Sequence, residues 1–488
     1  MSCPLTVLCA LVLASGMGAC LRADEAEDQA ALWVGTQGGL VQRDETAPGR
    51  PVVSVILRGV NNPDLTQLTA LKGLRTLELI RCGLIPFGLQ SLASLPNLRE
   101  LSLSGMAIQD EFLREVVGLE QVRVLRLGQT QVTDVGLGVL AGKKNLTGLV
   151  LNGTAITDTG MGELAGMREL DFLVLSSTRV TDKGLAELAG LKSLRTLWLG
   201  YTRVTDQGLK LVARFKNLRT LNLEGIAVTD TGLRELQALA NLEELTLHTA
   251  RLTDAGLGEI ARISTLQSLG LDGTQVSETG LSQLPLLQNL QVLQLNQNRT
   301  INDAALREVA RISSLTTLSL RETALTDAGL AQLGGLQGLT TLDLSINRVT
   351  DAGLRDIGAM PRLTHLQVAQ TGITDGGLPD IGKLSRLVFL NLERTRISSA
   401  GLRGLSTLRG LKELNLNQTP VNDAGLVEVA KLKTLTKLNL RTTQVSDAGL
   451  RELIGLPGLR ELELGGTRVT DFGVNELRKA LPGCAVTP

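Results

Sequence analysis

The chain has 488 residues, and its 49 lysines and arginines balance 49 aspartates and glutamates, so its formal net charge is zero at pH 7. This balance excludes a field over the whole chain that would attract nucleic acid or an anionic membrane. Aromatic residues make up only 2% of the sequence, whereas 43% is hydrophobic. The composition therefore predicts a core of aliphatic side chains.

The N-terminal residues predict export. Residues 1–23 contain an apolar run at 5–13 (LTVLCALVL) and carry no charged side chain before Arg22. This pattern is typical of a secretory signal peptide, although its start lacks the usual Lys or Arg. An uncleaved membrane anchor is the weaker interpretation, because a spanning helix needs ~20 apolar residues. The sequence MGAC, ending at Cys20, is similar to a bacterial lipobox, so Cys20 is a candidate for lipidation.

The segments at the two ends predict caps. Residues 24–51 begin with DEAEDQAALWV, which favours a short amphipathic helix with an acidic start, followed by a strand at 39–43. At the other end, residues 481–488 (LPGCAVTP) favour a last capping strand. Terminal repeats need such caps because their outer apolar layer would otherwise meet water.

Between the caps, residues 52–480 consist of a repeated 24-residue unit, written LxxLxLxxTxVTDxGLxxLxxLxx. Residues 194–217 (LRTLWLGYTRVTDQGLKLVARFKN) follow this rule closely. A shortened unit at 52–73 precedes 17 full units, which begin at Leu74, Leu98, Val122, Leu146, Leu170, Leu194, Leu218, Leu242, Leu266, Leu290, Leu315, Leu339, Leu363, Leu387, Leu411, Leu435 and Leu459. A fixed period of this length predicts a solenoid, in which each unit buries its apolar face against its neighbours.

Within each unit, the spacing of the apolar residues changes from that of a strand to that of a helix. The LxxLxL start predicts a strand with one buried face, and GLxxLxxL predicts a short helix. The pair between them, Thr205-Asp206 for example, predicts a helix N-cap and a carboxylate in the first turn. The glycine two residues later is expected to let the helix start lie close to the strands. Phe112 and Ala305 replace it in two units.

These units, and Thr-Asp-x-Gly-Leu above all, resemble the leucine-rich repeat family, in particular its cysteine-containing and ribonuclease-inhibitor-like subclasses and secreted bacterial members. The resemblance covers nearly everything after residue 51. It implies an α/β fold, a curved leucine-rich repeat solenoid with a parallel concave sheet and short convex helices. It also implies that the protein binds another macromolecule.

The ninth position of the unit departs from the family. The family normally has Asn or Cys there, whereas this chain mostly has Thr. The residue types of the family are present only at Cys82, Asn298 and Asn347. A Thr hydroxyl both donates and accepts, so it is expected to satisfy buried backbone groups as well. Lys143 stands where a buried leucine is expected.

One candidate binding site is a group of aromatic and apolar residues on the concave face, which the third, fifth and seventh positions of each unit form. Exposed aromatic side chains and arginine are typical of binding hot spots. The alternative is that these side chains cover one another. The group consists of Arg126, Val150, Phe172, Val174, Trp198 and Tyr201.

Two further columns are candidates. Asn391, Asn415 and Asn439 share the fifth position, where their amides are suited to a peptide backbone or a glycan, or else form a ladder that satisfies itself without a function. Glu224, His248 and Asp272 share the seventh position, with ~5 Å between neighbouring strands. They are either ligands for a divalent metal or a solvated column of acids and a base.

Together these features predict an exported, monomeric, non-enzymatic solenoid at a cell envelope. It is expected to bind protein or glycan on its concave face, with no cofactor, no nucleic acid and no membrane contact except a lipid at Cys20. One alternative is an intracellular F-box-like substrate-recognition adaptor, and another is a metal-dependent enzyme at Glu224, His248 and Asp272.

Cys82 and Cys484 lie near opposite ends of the array, too far apart for a disulfide.

Overall fold

The computed structural model describes residues 25–84 and 88–488, and the chain divides into two compact units at residues 1–222 and 223–488. The predicted signal peptide and the candidate lipidation site Cys20 lie outside the described residues.

The first unit begins with a helix, α1, at residues 25–36. Strand β1 is antiparallel to β2, and each later strand is parallel to the one before it. The strands are β1 (Leu40–Arg43), β2 (Val52–Arg58), β3 (Thr76–Ile80), β4 (Glu100–Ser102), β5 (Val124–Arg126), β6 (Gly148–Val150), β7 (Phe172–Val174), β8 (Thr196–Trp198) and β9 (Thr220–Asn222). The helices are α2 (Leu113–Val117), α3 (Asp134–Leu140), α4 (Asp158–Leu164), α5 (Asp182–Glu187) and α6 (Asp206–Val212), with 3-10 helices at Leu65–Ala70, Gln90–Ser94, Asp110–Phe112 and Leu188–Gly190.

In the second unit, the strands form one parallel run in chain order. They are β10 (Glu244–Thr246), β11 (Ser268–Gly270), β12 (Val292–Gln294), β13 (Thr317–Ser319), β14 (Thr341–Asp343), β15 (His365–Gln367), β16 (Phe389–Asn391), β17 (Glu413–Asn415), β18 (Lys437–Asn439), β19 (Glu461–Glu463) and β20 (Ala485–Thr487). The helices are α7 (Asp230–Leu233), α8 (Asp254–Ile260), α9 (Glu278–Leu281), α10 (Asp303–Val309), α11 (Asp327–Leu330), α12 (Asp351–Ile357), α13 (Leu378–Ile381), α14 (Asp423–Val429), α15 (Asp447–Leu453) and α16 (Asp471–Ala480). Further 3-10 helices lie at Arg234–Ala238, Leu284–Leu286, Ala331–Gly335, Asp375–Gly377 and Gly401–Leu405.

The predicted α/β class, with a parallel sheet and a short helix in each repeat, is confirmed. The leucines at the first, fourth and sixth positions form the core, as Leu194, Leu197 and Leu199 illustrate with 0% exposure. Because these positions recur in every repeat, the aliphatic layers stack along the chain. Within the described residues, no helix combines the length and the apolar character that crossing a bilayer requires.

In many repeats, a carboxylate at the helix start bonds to the next repeat along the chain. Asp134 Oδ1 accepts a hydrogen bond from the backbone N of Thr157 at 2.8 Å, and its Oδ2 accepts one from Thr157 Oγ1 at 2.5 Å. Thr157 Oγ1 in turn accepts from Thr159 N and caps α4. We call this paired bond the Asp–Thr staple. It recurs, with Ser in some places, at Asp110–Thr133, Asp158–Thr181, Asp182–Thr205, Asp230–Thr253, Asp254–Ser277, Asp303–Thr326, Asp327–Thr350, Asp351–Thr374, Asp375–Ser398, Asp423–Ser446 and Asp447–Thr470.

The staple explains the glycine of the repeat. A Cβ added to Gly160 would lie 2.5 Å from Asp134 Oδ1 and 2.9 Å from Leu137 Cδ1, both in the preceding repeat. The sequence analysis expected the glycine to let the helix start lie close to the strands, whereas the atoms nearest to this added Cβ belong to the preceding helix, α3. The glycine instead leaves room for the carboxylate that reaches across from the neighbouring helix.

The two repeats that lack the glycine support this explanation. Ala305 follows a repeat in which Glu278 replaces the aspartate, and Phe112 follows one in which Pro86 replaces it. Without the aspartate at that position, no staple carboxylate occupies the space that the larger side chain needs. Both replacements thus occur where the preceding aspartate is missing, although Gly425 is kept after Ser399.

The ninth position closes the turn after each strand. Thr130 Oγ1 donates to Leu127 O at 2.6 Å, within its own repeat. Asn298 Nδ2 donates to Leu295 O at 3.0 Å and also to Leu271 O, in the preceding repeat, at 2.8 Å. The threonines thus satisfy their own turn, as expected, whereas this asparagine also links two repeats. The other bonds of the threonine kind are made by Thr154, Thr178, Thr202, Thr274, Thr323, Thr371, Thr395, Thr419, Thr443 and Thr467.

Lys143 is buried at one of the leucine positions, with 4% exposure. Its Nζ donates to Leu119 O at 2.6 Å. Burial lowers the pKa of Lys143 to about 8, with a further lowering from Arg123 and an opposing effect of Glu120. The fold therefore favours the neutral amine, because a buried ammonium has lost its hydration.

We expect Gly329→Ala to reduce the free energy of unfolding by about 2 kcal/mol, because the added methyl group would collide with Asp303 Oδ1. The double variant Asp303→Ala/Gly329→Ala should cost less than the sum of the two single changes, since removing the carboxylate makes room for the methyl group. Urea unfolding of the four proteins measures this. Gly334→Ala, where a Cβ meets nothing within 4 Å, is the neutral control; strictly additive costs at 303 and 329 would contradict the staple explanation.

The stability of the protein should rise in alkali because of Lys143. Its pKa in the folded state, about 8, lies below its ordinary value of 10.5. The cost of burying the ammonium is therefore fully present below pH 8 and disappears as the pH rises towards 10.5. We expect the free energy of unfolding to increase by up to about 3 kcal/mol over that range, relative to Lys143→Leu. Urea unfolding of both proteins at pH 7 and pH 10 tests this, and parallel pH profiles would rule it out.

Candidate functional site

The third, fifth and seventh positions of the repeats form one face of the sheet, opposite the buried leucines; we call it the sheet face. On it lies the aromatic patch, which consists of Arg126, Val150, Phe172, Val174, Trp198 and Tyr201. The fifth-position members pair in register on β5 to β8, from Arg126 through both valines to Trp198. Tyr201 lies in the turn after β8, with a left-handed φ of 56°. The structure therefore brings the predicted group together on neighbouring strands.

Arg126 is held in place by a ring and a carboxylate. Its guanidinium carbon lies 5.7 Å from the centre of the Phe172 ring, and its Nε donates to Glu100 Oε1 at 2.5 Å. Such a contact between a guanidinium and a ring is attractive, and the charge-assisted hydrogen bond fixes its direction. Gly148 makes room for the ring, because a Cβ at that position would collide with Phe172.

The members of the aromatic patch differ in exposure. Trp198 is 42% exposed and Tyr201 is 53% exposed, whereas Val150 and Val174 are only 8% and 7% exposed. The sequence analysis placed the two valines on the solvent-exposed surface, and the structure corrects this. Their short side chains lie between the longer side chains of Arg126 and Trp198 in the same row. The valines thus form the floor of the patch, and its aromatic members form the accessible surface.

The asparagine column, Asn391, Asn415 and Asn439, is bonded locally. Each side-chain oxygen accepts a hydrogen bond at 3.0 Å from the backbone N two residues later. The amide nitrogens of Asn415 and Asn439 donate to the carboxylates of Glu393 and Glu463, at 3.3 and 3.0 Å. These bonds fix the orientation of the amides but do not join them into a ladder. Each of these two amides keeps a second N–H for a ligand.

A depression of about 100 Å³ lies beside this column; we call it the Phe389 groove. His365 stacks on Phe389 with ring centres 5.9 Å apart and 21° between the planes. Lys437 Nζ bonds to Glu461 at 2.7 Å, and this bond raises the pKa of Lys437. The sequence analysis missed the two rings, although they occupy the third position of successive repeats. The groove is lined by Phe389, Glu413, Leu414, Asn415, Lys437 and Asn439.

The third column, Glu224, His248 and Asp272, makes polar contacts with the next repeat. His248 Nε2 lies 3.7 Å from Asp272 Oδ2 and 3.2 Å from Gln294 Oε1. Both oxygens of Asp272 accept hydrogen bonds at 2.9 Å from Asn296. Across residues 25–84 and 88–488, no group of three or more His, Cys, Asp or Glu side chains is arranged to hold a metal ion.

The family follows from the repeat and from one sequence comparison. Residues 337–358 and 431–453 match the family model described as "Leucine Rich repeat". The first match contains β14 and α12, and the second contains β18 and α15, so each spans a complete strand, turn and helix. The chain is a leucine-rich repeat protein. A search of curated proteins found no match for this leucine-rich repeat protein.

Solved structures similar to this leucine-rich repeat protein include an internalin from Listeria monocytogenes, with 23% identity, coverage of 72% of this chain and 93% of that chain, and a TM-score of 0.45. A leucine-rich repeat protein from Leptospira interrogans has 22% identity, coverage of 86% and 92%, and a TM-score of 0.40. An Arabidopsis receptor kinase, solved with a peptide hormone and a co-receptor, has 18% identity, coverage of 88% and 80%, and a TM-score of 0.41. Since these TM-scores are below 0.5, the family assignment depends on the repeat and the family model.

Proposed function

We propose that this protein is an exported, monomeric scaffold that binds another protein through its sheet face, without a cofactor and without catalysis. The observation that carries the proposal is the exposure of Trp198 and Tyr201 on an open polar face, beside an arginine that is already held in position. Large aromatic side chains contribute much contact area for little lost conformational freedom. Exposing them to water is unfavourable unless a partner covers them.

The arrangement of the aromatic patch favours a protein partner. Its floor of two buried valines is apolar, its accessible members are aromatic, and Arg126 and Glu100 form a charged pair at its edge. A hydrophobic centre with a polar rim is the usual composition of a protein interface. Because the stacking on Phe172 fixes Arg126, little conformational entropy is lost there on binding.

A glycan is the second candidate ligand, and the asparagine column is the observation that favours it. The side-chain oxygens of these residues are tied to the backbone, so the amides present a fixed row of polar groups. Hydroxyl groups of a sugar can accept from the free N–H groups of Asn415 and Asn439. Neighbouring carboxylates and Lys437 supply further acceptors and donors.

The proposal includes export and attachment to a cell envelope. It is supported by the apolar segment of residues 1–23 and by the MGAC sequence that ends at Cys20. A lipid on a cysteine at the mature N-terminus would anchor the protein to a membrane, while the repeats remain outside the bilayer.

We expect Trp198→Ala to weaken the binding of the physiological partner by at least about thirtyfold, which corresponds to a hot-spot loss of about 2 kcal/mol. Affinity capture with the full-length chain identifies the partner, and the dissociation constants of the two proteins then give the change. Phe472→Ala is the matched control, because Phe472 is a 64% exposed aromatic residue on α16, away from the sheet face. If every captured partner binds Trp198→Ala as tightly as the unchanged protein, the aromatic patch is not the binding site.

Lipidation is expected to depend on Cys20. Radiolabelled palmitate should be incorporated into the unchanged protein and should be absent from Cys20→Ser, because the thiol is the acceptor of the lipid. Cell fractionation of both proteins shows whether anchoring follows the label. A labelled Cys20→Ser protein, or an unlabelled wild type, would contradict lipid attachment at this residue.

A further inference from the structure

We propose that the Phe389 groove receives an arginine side chain of the partner protein. The guanidinium would stack on the Phe389 ring and pair with the Glu413 carboxylate. This inference rests on the proposed function in one respect, namely that the partner is a protein. It adds a second contact site on the sheet face, with a defined ligand chemistry.

The ring of Phe389 is positioned for stacking. His365 on β15 covers it from one side, and Glu413 on β17 is its register partner on the other side. The groove therefore opens next to a ring whose orientation is fixed by its neighbour. A planar, weakly hydrated guanidinium stacks on such a ring more readily than an ammonium does.

The carboxylate of Glu413 supplies the negative charge that would pair with the guanidinium. In the described part of the chain, its carboxylate makes no hydrogen bond and no ion pair within 4 Å, although its charge contributes to the raised pKa of its register partner Lys437. Lys437 bonds to Glu461 instead, at 2.7 Å. A half-buried carboxylate without a partner gains most from a cation that also donates hydrogen bonds.

The surroundings of the groove are complementary to a cation. Carboxylates outnumber cationic side chains on this stretch of the sheet face, so one more positive group brings the local charge closer to neutrality. The carboxylates are those of Glu393, Glu413, Glu461 and Glu463, and the cations are Arg394, Lys437 and Arg441. The free N–H groups of the two asparagines lie at the rim, where backbone carbonyls of the same partner segment can accept from them.

The protein already contains a filled site of this kind. Arg126 lies over Phe172 and bonds to Glu100, and both of these residues occupy the third position of their repeats. Phe389 and Glu413 also occupy the third position, yet among the described residues the chain places no cation over Phe389. The groove thus has a ring and a carboxylate of the same kinds without the guanidinium, although they lie on the neighbouring strands β16 and β17, whereas Glu100 and Phe172 lie on β4 and β7.

The size of the groove agrees with this occupant. Its volume of about 100 Å³ is several times the roughly 10–15 Å³ that a single water molecule needs. That space is suited to the planar end of an arginine and the adjoining methylene group. The stem of the side chain would then leave along the open side of the sheet face.

Saturation-transfer NMR with N-acetyl-argininamide tests the proposal on the full-length protein, because the method detects weak ligands of large proteins. We expect saturation of the guanidinium-bearing side chain, with a dissociation constant in the millimolar range. The lysine and citrulline analogues should bind at least about fivefold more weakly, because one lacks the planar group and the other lacks the charge.

Glu413→Gln and Phe389→Leu should each raise the dissociation constant for the arginine probe at least about fivefold. Glu100→Gln is the matched control: it removes a carboxylate that already holds Arg126, so the constant should not change. The proposal is overturned if the probe shows no saturation up to about 50 mM, or if Glu413→Gln binds it unchanged. Trp198→Ala should leave probe binding intact, so failure of this site and failure of the aromatic patch are distinguishable.

Discussion

The Asp–Thr staple is the interaction on which the regularity of this protein depends. A carboxylate in the first turn of one helix accepts two hydrogen bonds from the capping residue of the next, as Asp134 does from Thr157. Because the bonds join backbone and side chain of consecutive repeats, they fix the spacing and the rotation between them. Where the aspartate is present, its carboxylate leaves room only for glycine in the following repeat, as at Gly160, so residues of two different repeats depend on each other.

This regularity creates the columns of the sheet face. Parallel strands held in register place equivalent residues of successive repeats side by side, so that Arg126, Val150, Val174 and Trp198 form one row. A change of residue at one position therefore acts on its neighbours across the sheet, as Gly148 does when it makes room for Phe172. Binding surfaces arise where such a row departs from the polar pattern, since the fold itself tolerates any side chain that faces solvent.

The aromatic patch and the Phe389 groove both combine a ring with a carboxylate, but only the aromatic patch contains a guanidinium of the chain itself. At the aromatic patch, the chain supplies both the guanidinium and its partners, which leaves Trp198 and Tyr201 as the accessible surface. In the Phe389 groove, the chain supplies the ring and the carboxylate, while His365 stacks on the ring and Lys437 bonds to Glu461. The first site is thus suited to apolar contact and the second to a charged side chain.

The sequence by itself determined the repeat, the alternation of strand and helix, and the buried leucines, because these follow from local periodicity and from contacts that are identical in every repeat. It also placed the aromatic patch and the asparagine column on one face, since alternation along a strand fixes the side on which each residue lies. Only the tertiary structure decided the burial of Val150 and Val174, the stacking of His365 on Phe389 and the bonding of Asp272 to Asn296. These outcomes depend on the lengths and hydrogen-bonding choices of side chains in neighbouring repeats, which a single-repeat rule does not contain.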